Sequence, residues 1–524
     1  MLALVLIALA SATVIQSFSW NQTSHYALVR AIAHGSTRID RYSASTGDEA
    51  RFHGHWYSSR APGLALYSVP WYGLLTAVDA PTLANSSPAQ RHADEMIWAV
   101  GLWGSVLPAL VLLLLVRAVA ERVEPGYGTA AAVTVGLGTL ILPLGTLLFS
   151  HVFAACLGFA AFALLWRDRD GPGRIWRPAL AGLLLGNAMT AEYPLVFAAI
   201  VLGIYLLVDR PRVRRAAAYV AGIVVGLVPL AVYDQVTFGS IWHVAYADLP
   251  QHHAGFFGID LPSVASGASL LFSSRGLLTL SPVLALSLAG IVLMYRRGRR
   301  AEALVIAAIA LVYLAYNSGY YLPFGGAVPG PRFLTTILPF LGVPLAVAFR
   351  RLPAAAIALA AISCVTMVLA TVTHPLVGYQ PETAAWTRYA AKGFFQPTIV
   401  SAFGGGRGWV AVIPFAVFVL AALALTAAVT PRLELTRGRL ATAAAVAGAW
   451  ALAAATLPDL LGIDRASEHR IAESGDPMVV ARLYGPHPLV HLSLLALGVA
   501  LAALLVARVV MARPARAPAA AVPA

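Results

Sequence analysis

The sequence predicts an all-α membrane protein, a polytopic bundle of transmembrane helices. Of its 524 residues, 59% are apolar and only 11% are charged, whereas about a quarter of the residues in soluble domains are charged. Apolar segments of about 20 residues, each long enough to cross a bilayer as a helix, recur from Met1 to Met511. A water-soluble fold is therefore excluded. No polar block between the segments is large enough to form a separate soluble domain.

The predicted spans follow one another along the chain, with a pair of shorter helices in the middle. Direct spans are expected near 1–19, 95–119, 127–146, 149–166, 216–235, 275–295, 301–322, 333–349, 352–372, 409–429, 440–457 and 488–509. Residues 178–208 have arginine clusters on both sides, so both ends should lie in the cytoplasm. Because Pro194 breaks the helical ladder, two helices should meet at Glu192. The total is about 14 segments.

Arginine clusters orient this bundle. The net charge of +13 could suggest nucleic acid as a partner, but most basic residues lie in short clusters between apolar segments. Such clusters mark cytoplasmic connections, so no nucleic acid is expected. With both termini in the cytoplasm, every internal connection carries arginine, and the external loops are 20–94, 236–274, 323–332, 373–408 and 458–487. Abundant alanine and arginine with a single lysine indicate a bacterial protein, hence a multi-pass protein of the bacterial plasma membrane.

Two regions are distinguished within this single membrane domain. Residues 1–210 contain the long first external loop, 20–94, and the broken helix pair, 178–208. Residues 211–524 supply further transmembrane helices and the remaining external loops. The two cysteines, Cys156 and Cys364, lie inside apolar segments, so neither a disulfide framework nor a cysteine metal site is expected.

The first external loop is unusually rich in Arg, His and Tyr. Residues 22–34 have apolar side chains at helical spacing, and 63–79 begin with Pro-Gly and continue apolar and aromatic, so both are predicted to be helices in the membrane interface. The motif NQTSHY, Asn21 to Tyr26, opens the first helix, and YSSRAPG, Tyr57 to Gly63, precedes the second. Long ordered external loops are commonly functional.

These two motifs and their setting resemble the GT-C superfamily of membrane glycosyltransferases. The branch in question contains the protein O-mannosyltransferases and the lipid A aminoarabinose transferase. Its members follow the first transmembrane helix with an Asp-Glu-x-x-Tyr-like helix start, and later with a Tyr-x-x-Lys-Pro-Pro segment before an aromatic-rich interfacial helix. The resemblance covers 1–210 by motif and the remainder by topology. It implies a GT-C-like fold and a sugar donor linked to polyprenyl phosphate.

The general base is where this sequence departs from the family. The resemblance implies an aspartate at the position of Asn21, and the neutral amide of asparagine cannot take a proton from a hydroxyl group. The base should then be Asp40 or Asp48 in the same loop. Asp40 is preferred because Arg38 and Arg41 flank it and would keep it ionised. A solvated salt bridge within the loop is the alternative for either carboxylate.

Arginines are the candidates for binding the donor phosphate. Arg60 stands where the family has a lysine that contacts this phosphate, and a guanidinium can hold phosphate through two hydrogen bonds. Its alternative role is to anchor the loop to lipid headgroups. Arg332 follows a turn rich in Gly and Pro at the start of a helix, where backbone amides and the helix dipole favour anions. A purely structural turn is equally expected there. Arg41 and Arg275 are weaker candidates.

Further polar residues complete the expected pocket. His151 begins a span at its outer end, and an acidic residue at membrane depth, such as Glu192, marks a functional site unless it only neutralises an arginine. Tyr57 is also typical of an interfacial aromatic belt. The full set beyond the bases and arginines is Asn21, His25, Tyr57, His151 and Glu192. No metal is required, and a divalent metal at the histidines of the second external loop is disfavoured by the lack of defined ligand geometry.

Together these expectations describe an extracytoplasmic, inverting glycosyltransferase without a required cofactor. Its partners would be a polyprenyl-phosphate sugar, membrane lipid, and a cell-envelope glycan, lipid or protein as acceptor. A phosphate leaving group departs as an anion, and arginines would stabilise it. Two alternatives stay open: a transporter or flippase of a lipid-linked saccharide, and a noncatalytic assembly subunit in which Asn21 marks a lost active site.

Overall fold

A computed structural model describes residues 1–17, 19–78, 90–171, 173–209, 213–249, 257–376, 382–431 and 436–462. The structure is 75% helical. Within these residues, eight helices are long and apolar enough to cross a membrane, or nine if a helix pair bent by 101° counts as one span. The predicted all-α membrane bundle is confirmed. The total of about 14 segments stays a prediction, and the predicted span 488–509 and most of the loop 458–487 lie outside the described residues.

The helices and strands are numbered in chain order. They are α1 Leu2–Ala12, α2 Trp20–Ala33, β1 Glu49–Phe52, β2 His55–Ser58, α3 Gly63–Ala77, α4 Gln90–Gly101, α5 Leu107–Val123, α6 Gly128–Gly138, α7 Ile141–Gly145, α8 Ser150–Arg169, α9 Trp176–Ala191, α10 Leu195–Asp209, α11 Val213–Phe238, α12 Val264–Phe272, α13 Leu277–Leu280, α14 Ala285–Arg296, α15 Arg300–Ser318, α16 Leu338–Arg351, α17 Pro353–Val372, α18 Glu382–Ala391, α19 Ile399–Ala402, α20 Ile413–Val429 and α21 Arg437–Leu461. Short 3-10 turns lie at Asp40–Ser45, Ala245–Asp248, Pro282–Leu284, Arg332–Ile337 and Gly408–Val412, and a π-helical turn at Leu102–Val106 joins α4 to α5.

Some predicted spans are interrupted. The expected span 1–19 is helical only to Ala12, after which Val14 forms a β-bridge with Thr398. The expected span 127–146 is divided into α6 and α7, because the backbone at Thr139 is extended. Apolar composition alone does not reveal such breaks, because an extended residue between two apolar helices leaves the hydropathy unchanged.

The first external loop contains the two helices expected from its sequence and a hairpin that was not expected. The predicted helices 22–34 and 63–79 correspond to α2 and α3. Ser19 caps α2 by accepting a hydrogen bond from the backbone N–H of Gln22. Between the helices, β1 and β2 pair in antiparallel register around a turn at His53 and Gly54, where both residues have positive φ angles of 47° and 83°. Two successive positive φ angles are typical of the tight turn that matches strand twist.

Helices α9 and α11 cross with their backbones in contact. Two glycines on each helix, spaced four residues apart, form the crossing: Gly182 and Gly186 on α9, Gly222 and Gly226 on α11. A Cβ atom at any of them would overlap backbone atoms of the other helix. Small residues at this spacing let transmembrane helices approach closely. The crossing fixes α9, whose carboxyl end leads directly to Glu192.

The connections predicted to be cytoplasmic meet at one end of the bundle, here called the paired end. Three carboxylates there each bind two arginines: Glu124 binds Arg297 at 2.6 Å and also Arg350, and Asp170 binds Arg122 at 3.2 Å and Arg299 at 3.4 Å. Asp168 likewise contacts Arg215 and Arg177. These connections thus group at one end, and the prediction that this end faces the cytoplasm stays a prediction.

Candidate active site

A cavity of about 290 Å³ lies where the first external loop meets the junction of α9 and α10. Three polar side chains line it: Arg60 from the loop, Ser150 at the start of α8, and Glu192 between α9 and α10. The remaining wall is largely aromatic and includes Tyr193, Tyr246 and Phe333. The cavity therefore combines a cation, a carboxylate and flat apolar surfaces, which suits a polar ligand with ring atoms.

Glu192 is the polar centre of the cavity. Its Oε1 accepts a hydrogen bond of 2.5 Å from Ser150 Oγ and one of 2.7 Å from His151 Nδ1. The two donors are the first residues of α8, so one helix start holds the carboxylate. His151 is buried, and its Nε2 has no hydrogen-bond partner among the described residues. The predicted pocket residues His151 and Glu192 are thus brought together.

His25 lies near the same carboxylate, on α2, and Asn21 lies on the same helix. Both are buried, and His25 Nε2 lies 3.4 Å from Ser150 Oγ. Burial, and then the charge of Arg60, lower the pKa of His25 to about 3. His25 is therefore neutral near pH 7. Asn21 Oδ1 and His25 Nδ1 are buried and lack a hydrogen-bond partner in the part of the chain that the structure describes.

Arg60 follows the hairpin and is held by Asp48, which precedes it. Arg60 donates from Nη2 to Asp48 Oδ1 at 2.6 Å, and its Nε is buried without a partner among the described residues. Burial lowers the pKa of Arg60, but Asp48 more than reverses this, so the pKa lies above its ordinary value. Arg60 thus remains a cation with one N–H unused. The predicted site residues Asp48 and Arg60 form one unit.

Arg332 is a second buried cation near this centre. Its guanidinium stacks between two rings, 5.6 Å from the centroid of Phe149 and 5.0 Å from that of Phe333. It makes no ion pair within the described residues, and its Nε has no hydrogen-bond partner there. It lies within electrostatic range of Arg60, Asp48 and Glu192. Two arginines with unused donors therefore face one small region.

Three other predicted site residues lie outside the cavity lining. Arg275 donates to the carbonyl groups of Gly326 and Val328 and so braces the 323–332 turn. Tyr57 packs on Phe238 beneath the hairpin, with ring centroids 5.5 Å apart. Arg41 is exposed on the 3-10 turn that begins at Asp40. The expected roles of Arg41, Arg275 and Tyr57 in a pocket find no support in these positions.

Asp40, the preferred base, is occupied by its own loop. Its carboxylate accepts hydrogen bonds from the backbone N–H of Trp56 at 2.6 Å and from His55 Nδ1 at 2.9 Å. The side chain is 44% exposed and does not line the cavity. Burial slightly raises its pKa, but Trp56 and His55 lower it further, so the net shift is downward. Asp40 is therefore tied to its own loop and lies outside the cavity lining, and the preference for Asp40 over Asp48 stays a prediction.

Comparison with known proteins gives similarity in structure only. No family model and no curated protein matches the sequence. The structure is similar to that of ArnT from Cupriavidus metallidurans bound to undecaprenyl phosphate, with 15% identity and a TM-score of 0.46, over 82% of this chain and 75% of that chain. It is also similar to the oligosaccharyltransferase AglB from Archaeoglobus fulgidus in complex with an inhibitory peptide and a dolichol-phosphate, with 12% identity and a TM-score of 0.42, over 84% and 57%.

Both structures share less than 25% identity with this chain, and both TM-scores are below 0.5. The chain spans just over half the length of AglB. The assignment of the site therefore depends on the side chains described above.

A metal centre finds no support in the described residues. No group of three or more His, Cys, Asp and Glu side chains there could hold a metal ion. In the second external loop, His243 Nε2 and Asp248 Oδ2 pair at 2.5 Å, whereas His252 and His253 lie outside the described residues.

Ser150 was missed by sequence reasoning as a site residue in its own right. A polar pair at the outer start of an apolar span, Ser150 and His151, is the sequence signal that indicates both residues. The aromatic wall was missed too, because Tyr193, Tyr246 and Phe333 are distant in sequence.

Proposed function

We propose that this protein is an extracytoplasmic, inverting glycosyltransferase that takes its sugar from a polyprenyl-phosphate donor. The observation that carries the proposal is the pair of arginines, half-buried Arg60 and buried Arg332, each with an Nε donor unused among the described residues, beside a carboxylate-lined cavity. Leaving the buried cation of Arg332 without a carboxylate partner is costly, and a bound phosphate would supply acceptor oxygen atoms to both arginines. A transporter of neutral sugars would not need this arrangement.

The reaction follows from the charges of the cavity. A base takes the proton of the acceptor hydroxyl, and the acceptor oxygen attacks the anomeric carbon of the sugar. The bond between that carbon and the phosphate oxygen breaks, and polyprenyl phosphate leaves with the electron pair. Arg60 and Arg332 stabilise the growing negative charge, as preorganised donors do in a site shielded from water. The acceptor would be a glycan, lipid or protein of the cell envelope.

A second, apolar cavity supports a lipid-linked donor. It has a volume of about 310 Å³ and lies between α9, α10 and α11, with Gly203, Leu206 and Ile223 among its lining residues. Val196 lines both this cavity and the one at Glu192. A donor whose phosphate lies at the arginines could therefore extend its isoprenoid chain along α10, where apolar surface matches apolar surface.

The test is sugar transfer by the purified full chain in lipid nanodiscs. Radiolabelled sugars linked to undecaprenyl phosphate and to dolichol phosphate are offered with an envelope extract as acceptor, and labelled product is measured. Arg60→Ala should lower kcat/KM by about 100-fold or more, as removal of a group that stabilises a developing charge does. Arg122→Ala, which removes an exposed arginine at the paired end, is the matched control and should leave transfer unchanged.

The outcomes separate the alternatives. The protein is also placed in liposomes instead of nanodiscs. Movement of a fluorescent lipid-linked saccharide across the liposome membrane, without any sugar transfer, would favour a flippase. A protein that neither transfers nor moves the saccharide would overturn the proposal and favour an assembly subunit. Equal loss of activity in Arg60→Ala and Arg122→Ala would remove the phosphate role of Arg60.

A further inference from the structure

Asp40, Asp48 and Glu192 are three candidate bases in the first region, and their surroundings differ. Asp40 is half-exposed, and its two oxygen atoms are taken by Trp56 and His55. Asp48 is engaged by Arg60 and lies outside the cavity lining. Glu192 lines the cavity itself, with 18% of its side chain exposed. Since a base must reach the hydroxyl group that it deprotonates, position separates these three candidates.

We infer that Glu192 is the general base of the transfer and that His151 and Ser150 position it. The inference rests on the proposed function and names a residue in place of Asp40 and Asp48. Both hydrogen bonds to Glu192 go to Oε1, so Oε2 is left to take the proton of the acceptor. The carboxylate is held in one orientation by two donors from the start of α8, which gives a fixed direction for proton transfer.

The backbone around Glu192 is also fixed. The residue follows the last turn of α9, and its N–H still donates to the carbonyl of Ala188 at 2.9 Å. Helix α9 is held against α11 by the glycine crossing. Tyr313, from α15, donates to the carbonyl of Pro194 at 2.9 Å and so ties down the other side of the junction. The carboxylate therefore sits on rigid elements, as a catalytic group requires.

Groups at this cavity account for every proton and electron pair that moves in the reaction. Glu192 takes the acceptor proton as the new glycosidic bond forms and the bond to phosphate breaks. Polyprenyl phosphate departs as an anion between Arg60 and Arg332, and the protonated Glu192 returns its proton to water or to the phosphate. No further reactant is required. Asp48 keeps Arg60 in place until the donor phosphate competes for the same guanidinium.

The decisive variant is Glu192→Gln, which keeps the shape of the side chain and removes its basicity. We expect kcat to fall by about 1000-fold, within the range for loss of a general base, with little change in the binding of undecaprenyl phosphate. Glu302→Gln is the matched control, since Glu302 is a buried glutamate at the paired end, in contact with Arg169 and Tyr205. It should retain activity in proportion to the folded protein recovered.

The variant Asp48→Asn distinguishes Glu192 from Asp48 as the general base. If Glu192 is the base, Asp48→Asn should mainly change KM for the donor, through Arg60, and should leave kcat within a few-fold. Nearly full kcat in Glu192→Gln, together with loss of kcat in Asp48→Asn or Asp40→Asn, would overturn the inference while the proposed function stands. A wild-type protein without any transfer would overturn both.

His151 is a positioning residue, and a pH profile tests this role. Burial raises the pKa of Glu192, and His151, Ser150 and Arg332 more than reverse this, lowering it to about 2. Other charged or titratable groups within range are Arg60, His25, Tyr193, Tyr313 and Tyr316. His151→Ala should lower kcat and move the acidic limb of the kcat profile to higher pH. His151→Asn, whose amide can replace the Nδ1 donor, should restore the limb, whereas equal profiles in both variants would contradict the role.

Discussion

Arginine side chains have different carboxylate partners at the two ends of the bundle. At the paired end each of three buried or half-buried carboxylates, Glu124, Asp168 and Asp170, serves two arginines. At the cavity end, Arg60 has one carboxylate partner and Arg332 has none within the described residues. Arg177 Nε and Arg215 Nε at the paired end lack a hydrogen-bond partner among the described residues, as Arg60 Nε and Arg332 Nε do, so the two ends differ in carboxylate partners and not in unused donors. A buried cation without a carboxylate partner, beside a cavity, is a candidate for binding an anion.

The largest effect on stability is expected at the paired end. Asp168 is fully buried and contacts Arg177 and Arg215. Asp168→Ala would leave both cations unpaired, at a cost of about 3–5 kcal/mol. Thermal unfolding of the purified protein should shift downward by several degrees, and the specific activity of the remaining folded protein should be unchanged. A variant as stable as the wild type would show that this end is not held by its charges.

The opposite result is expected for Arg332. Arg332→Met removes a buried cation but keeps a long side chain between Phe149 and Phe333. Replacing an unpaired buried charge by a well-packed apolar group stabilises a protein by about 1–4 kcal/mol. Unfolding should therefore move upward, while sugar transfer falls by about 100-fold. A loss of stability together with a loss of activity would mean that Arg332 has a structural role.

Asp40 should have a small effect. Asp40→Asn keeps an acceptor for the N–H of Trp56 and leaves the cavity lining untouched, so transfer at pH 7 should stay within about 3-fold of wild type, as for a surface ion pair. Its pKa lies below the ordinary value, so its contribution to loop stability is present above that value and is lost as the pH falls through the lowered pKa. Limited proteolysis of the loop against pH measures this, and a pH-independent wild type would contradict it.

The smallest effect is expected for Arg122 at the paired end. Its ion pair with Asp170 is exposed, with 43% of the arginine side chain accessible, and Arg299 also serves Asp170. Exposed pairs contribute about 0–1 kcal/mol. Arg122→Ala should change neither the unfolding temperature nor sugar transfer measurably. A clear loss in either would mean that the paired end influences the cavity.

Composition and arginine clusters were sufficient to predict the membrane bundle, the two interfacial helices and the junction at Glu192. Each depends on local signals: hydropathy over one segment, Pro-Gly before α3, and basic residues on both sides of 178–208. The same clusters correctly indicated which connections would meet at the paired end. Such features are encoded within short stretches of chain and need no knowledge of tertiary contacts.

The centre of the cavity could be predicted only in part. Glu192, His151, His25 and Asn21 were recognised as candidates one at a time, but the contact of Ser150 with Glu192 joins residues 42 apart in sequence, and that with His25 joins residues 125 apart. Asp40 was preferred to Asp48 because its flanking charges were visible in the sequence. The hairpin that brings Asp48 to Arg60 was not visible in the sequence.

The hairpin of the first loop has one more consequence. Asp48 precedes β1 and Arg60 follows β2, so their ion pair joins the two strands where they leave the loop. A donor phosphate that binds Arg60 competes with Asp48 for the guanidinium and weakens this closure. Binding equilibria are reciprocal, so a change that weakens the pairing of β1 with β2 should increase the affinity for the donor. Donor binding should in turn weaken the pairing of the strands. Amide exchange in β1 and β2 would thus report donor occupancy from outside the membrane, without any contact between lipid and hairpin.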